Sequence, residues 1–185
     1  MAALSDPELV RSFQDGDEQA FNELVRRHQD KVYILARRFA PDHDEADEIV
    51  QESFIKVYQG LATFRGESGV FTWIYRITVN VALNAIRRKR TRQMFSLEDA
   101  AGQTADSAES PDAVLEAKEQ RLLIAEAIES LPEKQKAVFI LRYYDETPYE
   151  ELSVILGTSV GGLKANYFHA VRKIAEHVKR ANSTR

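Results

Sequence analysis

The chain has 185 residues, of which 44% are hydrophobic and 29% charged; this length predicts one domain or two small ones, and the composition is that of a globular protein, not of a disordered or fibrous one. It contains no cysteine, which excludes disulfides, thiolate zinc sites, iron–sulfur clusters and a cysteine nucleophile. The net charge of −4 is unevenly distributed: residues 62–95 carry seven basic and one acidic side chains and 156–185 carry six and one, whereas 1–61 and 96–120 are acidic. Two separated basic blocks indicate two contacts with a polyanion, although helix C-termini also favour Lys and Arg.

The sequence shows no candidate segment for export or membrane insertion. The longest apolar runs, such as 137–141, have five residues, far below the roughly twenty that span a bilayer. The N-terminus lacks a basic segment followed by an apolar one. We therefore expect a cytoplasmic protein without a membrane segment. The four histidines are scattered and have no acidic neighbour at metal-ligand spacing, so we expect no metal or other cofactor.

Helical periodicity of the apolar residues dominates the N-terminal half and predicts three helices. The first begins at Asp17, a good N-cap, and ends before Pro41. The second spans about 44–61. A loop over 63–69, which contains two glycines, leads to a long helix over about 71–92 that ends in a cluster of cationic side chains.

A stretch in the middle of the chain divides it in two. Residues 95–110 are small and acidic, with hardly any large apolar side chain, which is the composition of a flexible linker. No segment of the chain alternates with period two. We therefore predict an all-α fold of two small helical domains joined by a flexible acidic linker. The predicted segments are 1–93, the linker 94–112, and 113–185.

Helical signals return after this stretch. Ser110 before Pro111 is typical of a helix start. The apolar stripe that follows consists of Val114, Leu115, Leu122, Ala125 and Ile128. Ser130 and Glu133 have the spacing of a capping box, which predicts the start of the next helix.

The last part of the chain has the pattern of a helix-turn-helix motif. A short helix over Tyr149–Leu156 is closed by Gly157, and Thr158 or Ser159 can cap a second helix that runs to about residue 179. The outer face of the second helix offers cations for phosphates and guanine edges, and apolar groups for thymine methyls. This face consists of Lys164, Ala165, Phe168, His169 and Arg172. An ordinary αα-hairpin with a polar outer face is the alternative.

Aromatic residues and arginines are interleaved over 64–92, a combination that single-stranded nucleic acid requires for stacking of bases and for binding of phosphates. Asn80 and Asn84 are four residues apart and therefore share a helical face, where amides can pair with the edge of an unstacked base. Taken singly, Phe71 is expected in the core, Trp73 fits either the core or a stacking platform, and the two asparagines fit an exposed face without a role.

Six acidic residues lie within 42–52, at the start of the second predicted helix. The helix dipole explains acidic residues in the first turn, but it does not explain Gln51, Glu52 and Phe54, which lie deeper in the helix. An acidic and apolar patch at this place would repel DNA. We therefore expect its partner to be a basic protein surface.

Over nearly its whole length the chain resembles bacterial sigma factors of the extracytoplasmic-function (ECF) group. The matching strings are DGDEQAFNELVRRH (15–28), DEIVQESFIKVYQGL (47–61), FRGESGVFTWIYRITVNVALNAIRRKR (64–90) and LPEKQKAVFILRYYDETPYEELSVILGTSVGGLKANYFHAVRKI (131–174). The resemblance implies a transcription initiation factor without catalytic residues, which binds core RNA polymerase, recognises promoter DNA and helps melt the minus-ten element.

The resemblance also implies three contact sites. The clamp helices of the largest polymerase subunit would bind Asp47, Gln51, Glu52 and Phe54. The minus-ten element, with one base flipped out, would contact Phe64, Arg65, Trp73, Arg76, Asn80, Asn84, Arg87 and Arg88. The duplex minus-thirty-five element would contact Arg142, Thr158, Lys164, Ala165, Phe168, His169 and Arg172. The polymerase flap and an anti-sigma factor are further expected partners.

Two other classes of protein agree less well with the residues. A stand-alone helix-turn-helix regulator would leave Asn80, Asn84 and the aromatic–arginine stretch without a role. An enzyme that processes RNA or single-stranded DNA would need carboxylates clustered beside the basic blocks, and the acidic helix lies outside them.

Overall fold

The computed structural model describes residues 4–95 and 113–183, with side chains described for 4–92 and 119–183. Within these ranges the chain forms α-helices and no β-strand, so the all-α prediction is confirmed. The chain folds into two compact units: Met1–Leu97, the N-terminal unit, and Glu98–Arg185, the C-terminal unit. The predicted start of a helix at Ser110 and Pro111, and residues 96–112 of the stretch around the predicted linker, lie outside the described residues.

Each unit contains four of the described helices. In the N-terminal unit these are α1 (Asp6–Gln14), α2 (Glu18–Phe39), α3 (His43–Leu61) and α4 (Val70–Phe95). In the C-terminal unit they are α5 (Ala113–Glu129), α6 (Glu133–Tyr143), α7 (Tyr149–Leu156) and α8 (Val160–Ser183). Among the described residues, no helix combines the length and the apolar character needed to cross a bilayer.

Local capping signals set the helix starts of the N-terminal unit. The Asp17 carboxylate accepts a hydrogen bond from the backbone N–H of Gln19, and the Asp42 carboxylate accepts one from the backbone N–H of Glu45. These bonds satisfy N–H groups that have no partner inside the helix. They confirm the predicted start of α2 and place the start of α3 one residue before the predicted one.

Helix α1 was not predicted from the apolar periodicity, because nine residues give too few repeats. The signal that could have found it is Ser5 followed by Glu8, with Pro7 in the first turn. The backbone N–H and the hydroxyl of Ser5 donate to the Glu8 carboxylate at 2.7 and 2.6 Å. These hydrogen bonds lower the pKa of Glu8.

Helix α1 is fixed to α2 by apolar and charged contacts. Leu9 and Val10 are buried in the core of the N-terminal unit. The Asp6 carboxylate accepts a hydrogen bond from Arg27 at 3.1 Å, and its second oxygen lies 2.8 Å from Nε2 of the buried His28. The start of α1 is therefore held against the middle of α2.

Glu23 on α2 takes part in the same network. Hydrogen bonds from Arg26 and Arg27 lower the pKa of its carboxyl from 4.5 to about 2. Because the folded-state pKa lies below the ordinary value, the stabilisation from this cluster is complete above pH 4.5 and is lost as the pH falls towards 2.

The core of the N-terminal unit lies between α1, α2, α3 and α4. Its buried members are Leu9, Val10, Ala20, Leu24, Val32, Val57, Leu61, Val70 and Ile74. Half-buried aromatic residues, including Phe54, Phe64 and Trp73, pack against this cluster. The aromatic side chains over 64–73 thus pack partly against the core, and only the remaining part of each side chain is exposed.

The C-terminal unit has its own apolar core and corrects two sequence predictions. Ala125 is exposed and α5 buries Ala127 in its place, whereas Ile128, which belongs to the predicted stripe, is buried as expected. The Ser130 hydroxyl donates at 2.8 Å to the carbonyl of Ala127, which lies in the last turn of α5. The predicted capping box is therefore wrong. Ser130 donates to a carbonyl at the end of α5, and α6 begins directly after Pro132 without a side-chain cap.

The close approach of α3 and α4 at Gly60 predicts an effect on stability. A Cβ atom at Gly60 would lie 2.8 Å from the ring of Trp73, whereas one at Gly161 would have no atom within 4 Å. We expect Gly60→Ala to lower the free energy of unfolding by about 1 kcal/mol net, since overpacking outweighs the gain in helix propensity. Gly161→Ala, the control, should leave stability equal or raise it.

Urea unfolding checks this expectation. Trp73 is the single tryptophan of the chain, so its fluorescence reports on the N-terminal unit, while far-UV circular dichroism follows the Gly161 variant. An unchanged or higher midpoint for Gly60→Ala would show that the Trp73 ring moves aside without cost.

Candidate nucleic-acid and protein interfaces

Helix α4 presents a row of polar side chains that the sequence placed on one face. Asn80 and Asn84 are exposed, and Arg76, four residues before Asn80, is half-buried. We name these three residues the α4 row. Arg87 continues it by donating to Oδ1 of Asn84 at 2.8 Å. The row offers amide groups flanked by guanidinium groups, as recognition of an unstacked base between phosphates requires.

The connection between α3 and α4, residues 62–69, forms the 62–69 loop. Phe64 and Trp73 are both half-buried, and their ring centroids lie 4.7 Å apart. Arg65 is exposed, next to Gly66 with φ +74°. The aromatic pair therefore forms the base of the loop, and Arg65 extends into solvent beside it.

The four residues of the predicted acidic and apolar patch on α3 differ in exposure and in contacts. Asp47 and Gln51 are exposed, whereas Phe54 is half-buried against the core. The Glu52 carboxylate faces α4, where Arg88 donates to it at 3.0 Å. Asp47, Gln51 and Phe54 follow one another at spacings of four and three residues and so share one side of α3, whereas Glu52 is engaged with α4.

A residue that the sequence reasoning missed completes the exposed part of this patch. Ile55 is 57% exposed and lies four residues after Gln51, which itself lies four after Asp47. We name Asp47, Gln51 and Ile55 the α3 row. The four-residue spacing was visible in the sequence. The sequence did not show whether Phe54 or Ile55 is the exposed apolar side chain, because this depends on which of the two packs against the core.

Helices α3 and α4 enclose a groove lined by opposite charges. Lys89 pairs with Glu45 at 2.6 Å, as Arg88 does with Glu52. Glu48 and Arg92 line the same groove. Arg88 is thus a predicted DNA contact whose charge is matched by a predicted polymerase contact. Exposed pairs of this kind contribute little to stability, because solvent screens them.

In the C-terminal unit the predicted helix-turn-helix is confirmed. Helix α7 ends at Gly157, whose φ of +59° is the left-handed conformation that favours glycine at a helix C-terminus. The Ser159 hydroxyl accepts a hydrogen bond from the backbone N–H of Gly162 at 3.3 Å, so Ser159 caps α8. Thr158, the other candidate, donates to the carbonyl of Leu156 at 3.3 Å and is half-buried.

The outer face of α8 is exposed at every predicted position: Lys164, Ala165, Phe168, His169 and Arg172. Phe168 is 64% exposed, which is a large exposure for an aromatic side chain. Leu163 and Ala170 are buried on the opposite side. Arg172 donates to Glu176 at 2.8 Å, and this hydrogen bond lowers the pKa of Glu176. The helix therefore separates a packing face from a face with the chemistry of major-groove contacts.

Arg142, the remaining predicted contact, lies on α6 and is half-buried. It donates to the carbonyls of Glu146 at 2.9 Å and Thr147 at 3.4 Å, and so closes the turn between α6 and α7. Glu146 has φ +52°, a conformation that non-glycine residues rarely adopt. The Arg142 guanidinium also lies 5.2 Å from the ring centroid of Tyr149, and Lys164 lies 5.7 Å from the same centroid. This ring connects Arg142 with the outer face of α8.

Comparisons with known proteins agree with this division. Residues 24–92 match the family Sigma-70 region 2, and residues 121–174 match Sigma-70, region 4. The first match lies in the N-terminal unit and contains the α3 row and the α4 row. The second contains α6, α7 and most of α8.

The similarity extends over almost the whole chain. The chain is 38% identical to the ECF RNA polymerase sigma-E factor of Escherichia coli (strain K12), over 95% of each protein. It is 35% identical to the protein of the same name from Haemophilus influenzae, over 95% of this chain and 96% of the relative. The solved structure of the sigma factor RpoE from Bartonella quintana, in complex with the anti-sigma factor NepR, is 19% identical and shares the fold with a TM-score of 0.65, over 86% of this chain and 96% of that one. The chain therefore belongs to the ECF group of RNA polymerase sigma factors.

Proposed function

We propose that this sigma factor binds core RNA polymerase through the α3 row, reads unpaired minus-ten DNA with the α4 row and the 62–69 loop, and reads duplex minus-thirty-five DNA with the outer face of α8. The observation that carries the proposal is the exposure of Asn80 and Asn84 in the α4 row, which lies in the part of the chain that matches region 2. Amides four residues apart have no packing role on a solvent-facing helix surface, but they suit the edge of an unstacked base.

The protein performs no catalysis in this proposal and acts in the cytoplasm, where the polymerase carries out the chemistry. The domains are 1–93 and 113–185. The separation of the chain into two compact units and the two family matches support this assignment. Co-purification with core polymerase is the first test, since a sigma factor requires this interaction and a stand-alone regulator does not.

An anti-sigma factor and the polymerase flap are further proposed partners. The RpoE structure from Bartonella quintana, which was determined with the anti-sigma factor NepR, supports the first. The match to region 4 supports the second.

The polymerase contact predicts a difference between matched surface variants. We expect Asp47→Lys and Ile55→Ala each to weaken binding to core polymerase about tenfold, because one reverses a charge that faces a basic surface and the other removes apolar area that binding would bury. Asp30→Lys and Ile34→Ala change the same residue types at exposed positions of α2. These controls should bind like the wild type.

The Kd for core polymerase, measured by fluorescence anisotropy with labelled sigma factor, checks this prediction. Glu52 and Phe54 are less suitable for substitution, because changing either one also disturbs a contact inside the N-terminal unit. Equal affinities for the Ile55 and Ile34 variants would exclude Ile55 from the interface.

The two proposed DNA sites should fail with different forms of DNA. We expect Asn80→Ala with Asn84→Ala to weaken binding of the full chain to a single-stranded minus-ten oligonucleotide and to reduce open-complex formation. Lys164→Ala with Arg172→Ala should instead weaken binding to the upstream duplex, by about 1–3 kcal/mol for each lost base contact. The second double variant should also lower the salt dependence for each phosphate contact that is lost.

Anisotropy with both forms of DNA distinguishes these effects. Asn22→Ala on α2 and Lys179→Ala near the end of α8 are controls at positions outside the proposed sites. Equal losses on both forms of DNA for both double variants would contradict two separate sites and indicate one composite surface.

A further inference from the structure

The side chain of Gln14 forms a contact that the apolar periodicity does not predict. The residue also lies outside the match to region 2, which begins at residue 24. Its amide nitrogen lies 3.0 Å from the carbonyl oxygen of Leu61 and 3.0 Å from that of Phe64. A primary amide has two N–H donors, so one group can donate to both carbonyls. Leu61 is the last residue of α3, and Phe64 lies in the 62–69 loop.

The two acceptors mark the place where the chain leaves α3. The Leu61 carbonyl, in the last turn of α3, accepts a hydrogen bond from the backbone N–H of Phe64 at 3.3 Å. The Gln14 amide adds a shorter one from another element. The ring of Phe64 is packed against Trp73 at the start of α4. The backbone of Phe64 is thus fixed to α1 and its side chain to α4, while Arg65 and Gly66 extend into solvent.

Gln14 itself is held in place from both ends of α1. Asp6 fixes the start of the helix to α2. Phe13, the neighbour of Gln14, packs against Phe21 with ring centroids 6.2 Å apart and against Tyr58 at 5.3 Å. Gln14 itself is exposed, but its amide projects from a helix turn that α2 and α3 both hold in place.

From this arrangement we propose that Gln14 is a positioning residue for base recognition: it holds the start of the 62–69 loop in the conformation that captures an unstacked base. The inference rests on the proposed function of the loop. Gln14 acts through the backbone carbonyls and does not contact the base. Without its two donors, the loop would sample other conformations and lose selectivity for the base, while the cations of α4 would still bind phosphates.

The test compares Gln14→Met, which keeps the length of the side chain but removes both donors, with Gln29→Met at an exposed position of α2. The first readout needs no DNA. Because Phe64 packs on Trp73, a loosened loop should expose the indole, so we expect about twofold stronger quenching of Trp73 fluorescence by acrylamide in Gln14→Met only. Far-UV circular dichroism establishes that both variants are folded.

The second readout is binding of the full chain to a single-stranded minus-ten decanucleotide. Its sequence is taken from a promoter that the wild-type holoenzyme melts. In a series of variants of this oligonucleotide, each base is replaced in turn by an abasic site. Wild type should lose about tenfold in affinity when the captured base is removed. Gln14→Met should bind the intact oligonucleotide about tenfold more weakly. Its affinity should not fall further when the captured base is removed, and the salt dependence of its binding should equal that of the wild type. Gln14→Lys, which restores N–H donors, should behave like wild type in the quenching and abasic assays.

Each outcome has a distinct meaning. Unchanged quenching in Gln14→Met, or a full abasic effect in that variant, would overturn the inference about Gln14 alone. Loss of both properties in Gln14→Lys would show that the donors are not the cause and would also overturn it. Absence of any abasic effect in wild type would overturn the proposed function of the loop, and the role of Gln14 in base capture with it.

Discussion

The packing of α3 against α4 decides where the proposed contacts of the N-terminal unit lie. Leu61 and Ile74 are completely buried between the helices, and burial of such a side chain contributes about 1.5–3 kcal/mol. The pair Glu45–Lys89 connects the start of α3 with the later part of α4, so the helices are antiparallel. The 62–69 loop therefore lies at one end of this pair of helices, and the acidic and basic helix segments meet at the other.

This geometry pairs two side chains of opposite charge that the family resemblance assigned to different partners. Glu52 lies on the helix of the proposed polymerase contacts, and Arg88 lies on the helix of the proposed minus-ten contacts. Because both side chains are partly exposed, their ion pair contributes little to stability, and the apolar core holds the helices together.

The C-terminal unit assigns packing and recognition to opposite faces of α8. Leu163 and Ala170 are buried, whereas Lys164 and Phe168 are exposed. The orientation of α8 depends on the turn that follows α7, while Arg142 secures the preceding turn with hydrogen bonds to backbone carbonyls. Arg142, which the family resemblance assigned to DNA binding, therefore has a structural role as well. The turn that it secures lies beside the face of α8 that would read the duplex.

The sequence by itself determined the helices whose signals are local. The starts of α2 and α3 and the end of α7 at Gly157 depend on residues a few positions apart, so the pattern was sufficient to predict them. Ser130 was assigned to the wrong helix because its hydroxyl suits the end of one helix as well as the start of the next. Only the tertiary structure decided that Glu52 turns towards Arg88, 36 residues away, and that Gln14 reaches Leu61, 47 residues away. Such contacts exist only after the apolar core has brought distant segments together.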